Sequence, residues 1–208
     1  MQIIDFNHWP RKEHFEFFSK MEYPQFNISM QLDVGNLLAF VKRNQISFYY
    51  AMVYCVTHCA NEVENFRYRM RDDKVILHDE LHPSFTDMMQ DSDLYKMVMV
   101  EMEDNILAFS EKAKEKSNRQ KTFMVYENEE ERDDLLYITC VPWISFTQIT
   151  HPIGLKKGIS VPKISWGKYV KEGDKVLLPF SVQANHALMD GVHVGSYIEK
   201  LQKYIDCL

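Results

Sequence analysis

The chain has 208 residues, 46% of them hydrophobic, with 30 acidic against 24 basic side chains and a formal net charge of −6. That length supports one sizeable core, so a single domain over 1–208 is expected, and the acidic balance argues against a nucleic-acid surface. No run nears the ~18 apolar residues that span a bilayer, the Met1-Gln-Ile-Ile-Asp-Phe6 start lacks the regions of a signal peptide, and four cysteines without zinc spacing suit reduced thiols in a cytoplasm.

From the N-terminus, Pro10 suits the first turn of a helix whose apolar stripe is Phe15, Phe18 and Met21. Gln25–Asp33 alternates apolar and polar residues with period two and reads as a half-buried strand. Asp33 can cap a helix that reaches about Arg43, and Ser47 can cap a second that ends near Glu64. Residues 67–71 and 74–78 flank Asp72-Asp73 as a β-hairpin, and 82–89 is extended. Residues 93–117 read as one long helix with Met97, Val100, Ile106, Leu107 and Phe109 among its apolar positions, and 112–121 is a charged, solvated stretch. The acidic run 127–134 reads as a surface loop, with a partner-binding segment as the other reading.

Leu135–Val141 is a strand stopped by Pro142, and 149–164 is loop and strand punctuated by Pro152, Gly154, Gly158 and Pro162. Residues 171–174 turn the chain into a last strand over 175–183. There is no linker and no internal repeat, and strands and helices mix without strict alternation. The class is therefore α+β or mixed α/β.

The chemistry concentrates in Gln183-Ala-Asn-His-Ala-Leu-Met-Asp-Gly191, between that strand and a helix from Gly191 to about Leu208. Asp190 suits the N-cap, and Gly191 suits a tight reversal or a close backbone approach. Three readings compete for His186. It can be a hydrogen-bonded structural histidine, a metal ligand with Asp190 and His193, or a general base, the role to which imidazole is best matched near neutral pH. A helix starting at Asp190-Gly191 leaves His186 outside it, which weakens the metal reading.

His186-x-x-x-Asp190-Gly191, after Leu178-Pro-Phe-Ser-Val-Gln183, resembles the active-site signature of type A chloramphenicol acetyltransferases, within the CoA-dependent acyltransferase superfamily. The resemblance extends in order through Trp9-Pro-Arg-Lys-Glu-His-Phe-Glu-Phe17, Phe48-Tyr49, Phe66-Arg67, His82-Pro-Ser-Phe-Thr86, Pro142-Trp-Ile-Ser-Phe146, Gly167-Lys-Tyr169 and Glu172-Gly-Asp174. It implies a two-layer sandwich, a mixed β-sheet packed with helices, assembled as a homotrimer with active sites between subunits. The implied reaction moves acetyl from acetyl-CoA, the cosubstrate, to a hydroxyl of chloramphenicol or a related small acceptor, with no metal and no membrane or nucleic-acid partner.

By that resemblance His186 is the general base, and Thr139 stands where the family carries the serine that stabilises the oxyanion. A threonine keeps the hydroxyl but adds a methyl group and a stiffer χ1. Asp190 pairs with Arg11 and holds the catalytic turn. Tyr49, Trp143, Lys168 and Tyr169 line the CoA channel, where aromatic faces can pack on adenine and a lysine can meet phosphate. The acceptor pocket falls to Phe17, Phe18, Ile149, His151, Lys163 and Ser165.

The sequence also departs from the pattern. Asn185 replaces an imidazole beside the base, Phe18 replaces a tyrosine, Ser165 replaces a threonine, and Ile149, His151 and Lys163 replace largely apolar or aromatic residues. These changes leave the reaction class intact and point to a different, more polar hydroxylated acceptor as the alternative to the antibiotic. Two other readings are the acyltransferase core of a 2-oxo-acid dehydrogenase complex, disfavoured by the absence of a lipoyl-type domain, and a trimeric CoA- or ligand-binding homologue with little turnover. The joint presence of His186, Thr139, Arg11 and Asp190 argues against the second.

Overall fold

The computed structural model describes residues 1–125, 132–154 and 159–208. A short strand β1 (Gln2–Ile3) precedes α1 (Lys12–Phe18), and then β2 (Gln25–Asp33), α2 (Gly35–Asn44) and α3 (Phe48–Asn61) follow. A 3-10 turn over Glu64–Arg67 leads into β3 (Tyr68–Arg71) and β4 (Lys74–Leu77), hinged at Asp72, whose φ is 51°. Next come β5 (His82–Met88), β6 (Tyr95–Met99) and α4 (Ile106–Arg119). The chain closes with β7 (Leu135–Val141), β8 (Lys163–Gly167), β9 (Val170–Glu172), β10 (Lys175–Asn185) and α5 (Gly191–Asp206).

The main sheet runs β2-β10-β8-β7-β5-β6, with β9 paired to β10. It is mixed: β5-β7 and β7-β8 are parallel, and the other pairs are antiparallel. Strand periodicity gives it two unlike faces. Ile138, Ile164, Trp166, Phe180 and Val182 point into one buried core with residues of α2, α3, α4 and α5. On the opposite face Thr139, Ser165, Ser181 and Ser29 fall in one row across β7, β8, β10 and β2. A second small core, Trp9, Tyr68, Val75 and Leu188, ties the β1-β4-β3 sheet to the residues that precede α1 and follow β10.

Several expectations need correction. Residues 93–117 are not one helix, because 95–99 pair antiparallel with β5 and α4 begins only at Ile106. Asn105 sets that start, its side chain accepting from the N–H groups of Leu107 and Ala108. Within 112–121 not everything is solvated: Ala113, Ser117 and Gln120 are buried, and the buried ammonium of Lys96 donates to the carbonyls of Ser117 and Gln120. The first helix starts at Lys12 rather than Pro10 and ends at Phe18, so Met21 is exposed beyond it. The helix after Ser47 stops at Asn61. A Cβ at Gly191 would come no closer than 3.8 Å to Ile28, and its φ is not positive, so neither a sharp reversal nor a close approach demands glycine there.

Of the acidic run 127–134, residues 127–131 lie outside the described residues; the rest is not free loop. Asp133 is paired with Arg71 (2.5 Å) and with His78 (2.9 Å), and Asp134 with Arg132 (2.8 Å). Burial works against the charge on Asp133, yet hydrogen bonds from Arg71 and His78 outweigh it and hold the carboxyl well below the usual range. A carboxyl depressed in the folded state adds stability above its unfolded value of about 4, which is lost as pH falls below it. The denaturation midpoint should therefore fall between pH 5 and 3, and more steeply in wild type than in Asp133→Asn, itself less stable at pH 7. Parallel curves would show that the pair contributes nothing.

Candidate active site

The strand β10 delivers Asn185 and His186 to one end of the sheet, and α5 begins five residues later. Between them the chain is pinned from several sides. Asn185 accepts from the Ala187 N–H (2.9 Å) and donates to the Ile159 carbonyl (3.0 Å), so an amide serves this turn as both donor and acceptor. The His186 N–H donates to the Pro24 carbonyl at 2.7 Å, and Asn65 donates to the Leu188 carbonyl at 2.8 Å.

Arg11 fastens the turn from the outside. Its Nη1 and Nη2 reach the two oxygens of Asp190 at 2.5 and 2.7 Å, Nη2 also donates to the His186 carbonyl at 2.7 Å, and Nε donates to the Ala187 carbonyl at 2.9 Å. With Arg11 only 9% exposed, this is a bidentate, largely buried pair. It holds the Asp190 carboxyl below its ordinary range, the Arg11 hydrogen bond outweighing burial. Asp190 stands at the N-cap of α5, and its own N–H donates to His193 Nδ1 at 2.8 Å. Burial and the nearby Arg11 push the His193 imidazole down, which suits its role as an acceptor.

The His186 ring stacks on Phe18, with centroids 4.0 Å apart and planes 4° from parallel, and leans on Phe26 at 4.8 Å. Its Nδ1 lies 3.0 Å from Asp190 Oδ1, at ion-pair distance but outside hydrogen-bond geometry, and is buried. The side chain as a whole is 35% exposed, so Nε2 is the nitrogen that faces outward. Beside it Phe17 is 62% exposed, edge-on to Phe18.

A cavity of about 920 Å³ opens elsewhere along the sheet, a size typical of small-molecule sites. Tyr49, Trp143, Lys168 and Tyr169 line it together with Thr139 and His151. The Tyr49 hydroxyl donates to the Thr86 carbonyl, and burial raises its phenol well above the usual value, so the ring serves as a neutral wall. Trp143 is 66% exposed at the rim, and Tyr169 meets Phe48 edge-on. Gly167 lets this rim form: a Cβ there would lie 2.4 Å from the Ile144 carbonyl, which accepts from the Lys168 N–H. The Thr139 hydroxyl has no hydrogen-bond partner among the described residues.

The candidate acceptor residues divide between these two places. Phe18 stacks on His186 and carries Phe17 edge-on beside it, whereas His151 lines the cavity and is hydrogen-bonded through Nε2 to the buried Ser165. Ile149 accepts from Asn27 at 2.9 Å, and Lys163 donates to the Pro152 carbonyl. Strand register measures the gap. Thr139 is opposite Ser165, Ser165 is opposite Ser181, and His186 follows Ser181 by five residues. Two strand spacings across and five residues along put Thr139 and His186 roughly 19 Å apart in one chain. Sequence reasoning passed over Phe26 and quoted Gln183 and Gly167 only as motif positions without a role; what each does follows from what it touches.

The family model described as chloramphenicol acetyltransferase matches residues 1–202. The chain belongs to that family. A chloramphenicol acetyltransferase of Klebsiella sp. is 30% identical over 203 residues, covering 98% of this chain and 93% of the relative. A solved chloramphenicol acetyltransferase structure superposes with a TM-score of 0.91 at 26% identity, covering 98% of this chain and 99% of that one. The structure of a probable dihydrolipoamide acetyltransferase from Listeria monocytogenes matches with a TM-score of 0.70 at 14% identity, covering 100% of this chain and 94% of that one, which shows a shared fold alone. Among the described residues no helix is long and apolar enough to cross a membrane.

Proposed function

We propose that this chain transfers acetyl from acetyl-CoA to a hydroxyl of chloramphenicol or a related small acceptor. It works in the cytoplasm as a homotrimer of single-domain subunits, without a metal. The observation that carries the assembly is the separation of roughly 19 Å between His186 and Thr139 within one chain. One base and one oxyanion donor must both lie within hydrogen-bond reach of a single reacting carbonyl and its nucleophile. A neighbouring copy supplies the missing half, so that His186, Phe17 and Phe18 of one subunit face Thr139 and the cavity of the next.

In that site Tyr49, Trp143 and Tyr169 hold the cosubstrate by their aromatic faces, and Lys168 meets a phosphate at the rim. Ile149, His151, Lys163 and Ser165 form the acceptor side. His186 Nε2 takes the hydroxyl proton as the acceptor oxygen bonds to the thioester carbonyl carbon. The carbonyl oxygen becomes an oxyanion, which the Thr139 hydroxyl stabilises by donating to it. Collapse breaks the carbon–sulfur bond, and the imidazolium returns its proton to the departing sulfur. The products are an acetyl ester and free CoA thiol.

Support comes from family membership across residues 1–202 and from the clamp that Arg11 and Asp190 place around the histidine turn. The test is thiol release from acetyl-CoA with chloramphenicol and other hydroxylated acceptors, with the ester identified by mass. Acceptor-dependent release with one acetyl gained per molecule is expected. The absence of any acceptor-dependent release across the set would overturn the assignment.

A further inference from the structure

We infer that the preferred acceptor carries an anionic group, a carboxylate or an equivalent, received by the His151 imidazole at the Thr139 end of the cavity and by Lys163 just beyond the cavity wall. The inference rests on the acetyl-transfer reading above and adds the chemistry of the acceptor to it. Lys163 and Ser165 lie two residues apart on β8, hence on the same face, and Ser165 is in register with Thr139. His151 bends over this row. Its Nε2 is hydrogen-bonded to Ser165, and its backbone N–H donates to Gln183 Oε1 at 2.9 Å. The imidazole is thus fixed beside the hydroxyl row, and it lines the cavity that Thr139 also lines.

Free donors remain in this cluster on Lys163 and Gln183. Lys163 gives one hydrogen bond to the Pro152 carbonyl, makes no salt bridge among the described residues, and has two more N–H donors to place. Gln183, opposite Lys163 in the register and 2% exposed, has an Nε2 without a partner among the described residues. Burial first, and the neighbouring Lys163 second, keep His151 on the neutral side. The bond to Ser165 occupies Nε2 and leaves Nδ1 without a hydrogen-bond partner among the described residues; Nδ1 carries the proton, as a further donor, in the tautomer in which Ser165 donates to Nε2. Burial lowers Lys163, and no carboxylate among the described residues opposes it. An apolar aryl group placed here would desolvate these donors and return nothing, whereas an anion would engage them in charge-assisted hydrogen bonds.

Two alcohols of the same shape separate the cases: para-(hydroxymethyl)benzoate and its neutral methyl ester. Wild type should show kcat/KM at least about 10-fold higher for the acid, the scale of one charge-assisted hydrogen bond. The double variant His151→Leu, Lys163→Ile should lose that preference and improve toward the ester and toward chloramphenicol. Lys163→Gln, which keeps length and polarity, should already account for most of the loss. If wild type acetylates ester and chloramphenicol through His186 with no preference for the acid, and the variants leave the ratio unmoved, the inference falls while acetyl transfer stands. If no alcohol is acetylated in a His186-dependent way, acetyl transfer itself falls and takes the inference with it.

Discussion

Replacing His186 by alanine should lower turnover by about 10²- to 10⁴-fold while the protein still folds and binds cosubstrate. The imidazole contributes little to the core: it is partly exposed and makes its packing contacts with Phe18 and Phe26. Its structural ties are through its backbone, where the N–H meets Pro24 and the carbonyl meets Arg11. Truncation therefore removes the proton acceptor and leaves the turn in place. His193→Ala is the matching control, because that ring is engaged through Nδ1 by the Asp190 N–H at the start of α5. Its effect on turnover should be far smaller. Near-wild-type turnover in His186→Ala would leave His186 a structural histidine.

The second large effect concerns Arg11 and Asp190. Removing one partner of a well-buried ion pair costs about 3–5 kcal/mol, and an exposed pair contributes at most about 1. This pair lies between those limits, with Asp190 more open than Arg11. Arg11→Ala should be the harsher change, since it also strands the carbonyls of His186 and Ala187. Asp190→Asn should be milder. The double variant should lose less stability than the two singles added together, with a coupling of about 0.5–3 kcal/mol, and both singles should depress turnover by loosening the His186 turn. Strict additivity in a denaturant series would mean that the two side chains act independently.

Much of the scaffold was legible because period-two alternation and helical spacing report burial directly. The strand over 25–33 and the final helix follow from that rule, and the long strand before His186 from its continuous apolar, β-prone run. The hairpin at Asp72 followed from its turn residues. The failure at residues 93–117 has a physical cause. Lys96, Met97 and Met99 are good helix formers locally, but pairing with β5 buries Val98 and Met99 and brings the Lys96 ammonium to the end of α4. Tertiary contacts overrode propensity there. Asp133 was read as loop charge because its partners, Arg71 and His78, lie 62 and 55 residues away.

The active-site candidates were legible as motifs, not as a geometry. Nothing in the sequence reveals that Thr139 lies two strands away from the strand that His186 follows, with His186 five residues beyond the polar row. Nor does it show that His151, seventeen positions before Lys168 in the chain, reaches the same cavity through Ser165 and Gln183. Those facts come from register, which short-range periodicity leaves open between strands distant in sequence.

The central claim, that each reaction centre is built by two copies of the chain, is tested most directly by mixing two inactive variants. His186→Ala and Thr139→Ala are each expected to be nearly inactive alone. Unfolded together in equal amounts and refolded, they should form mixed trimers in which some interfaces pair an intact His186 from one copy with an intact Thr139 from the next. In a head-to-tail ring with random mixing, about a quarter of the sites should be whole, and turnover should recover to about a quarter of wild type. No recovery, from mixed trimers shown to have assembled, would place both residues of each site in one chain and contradict the account.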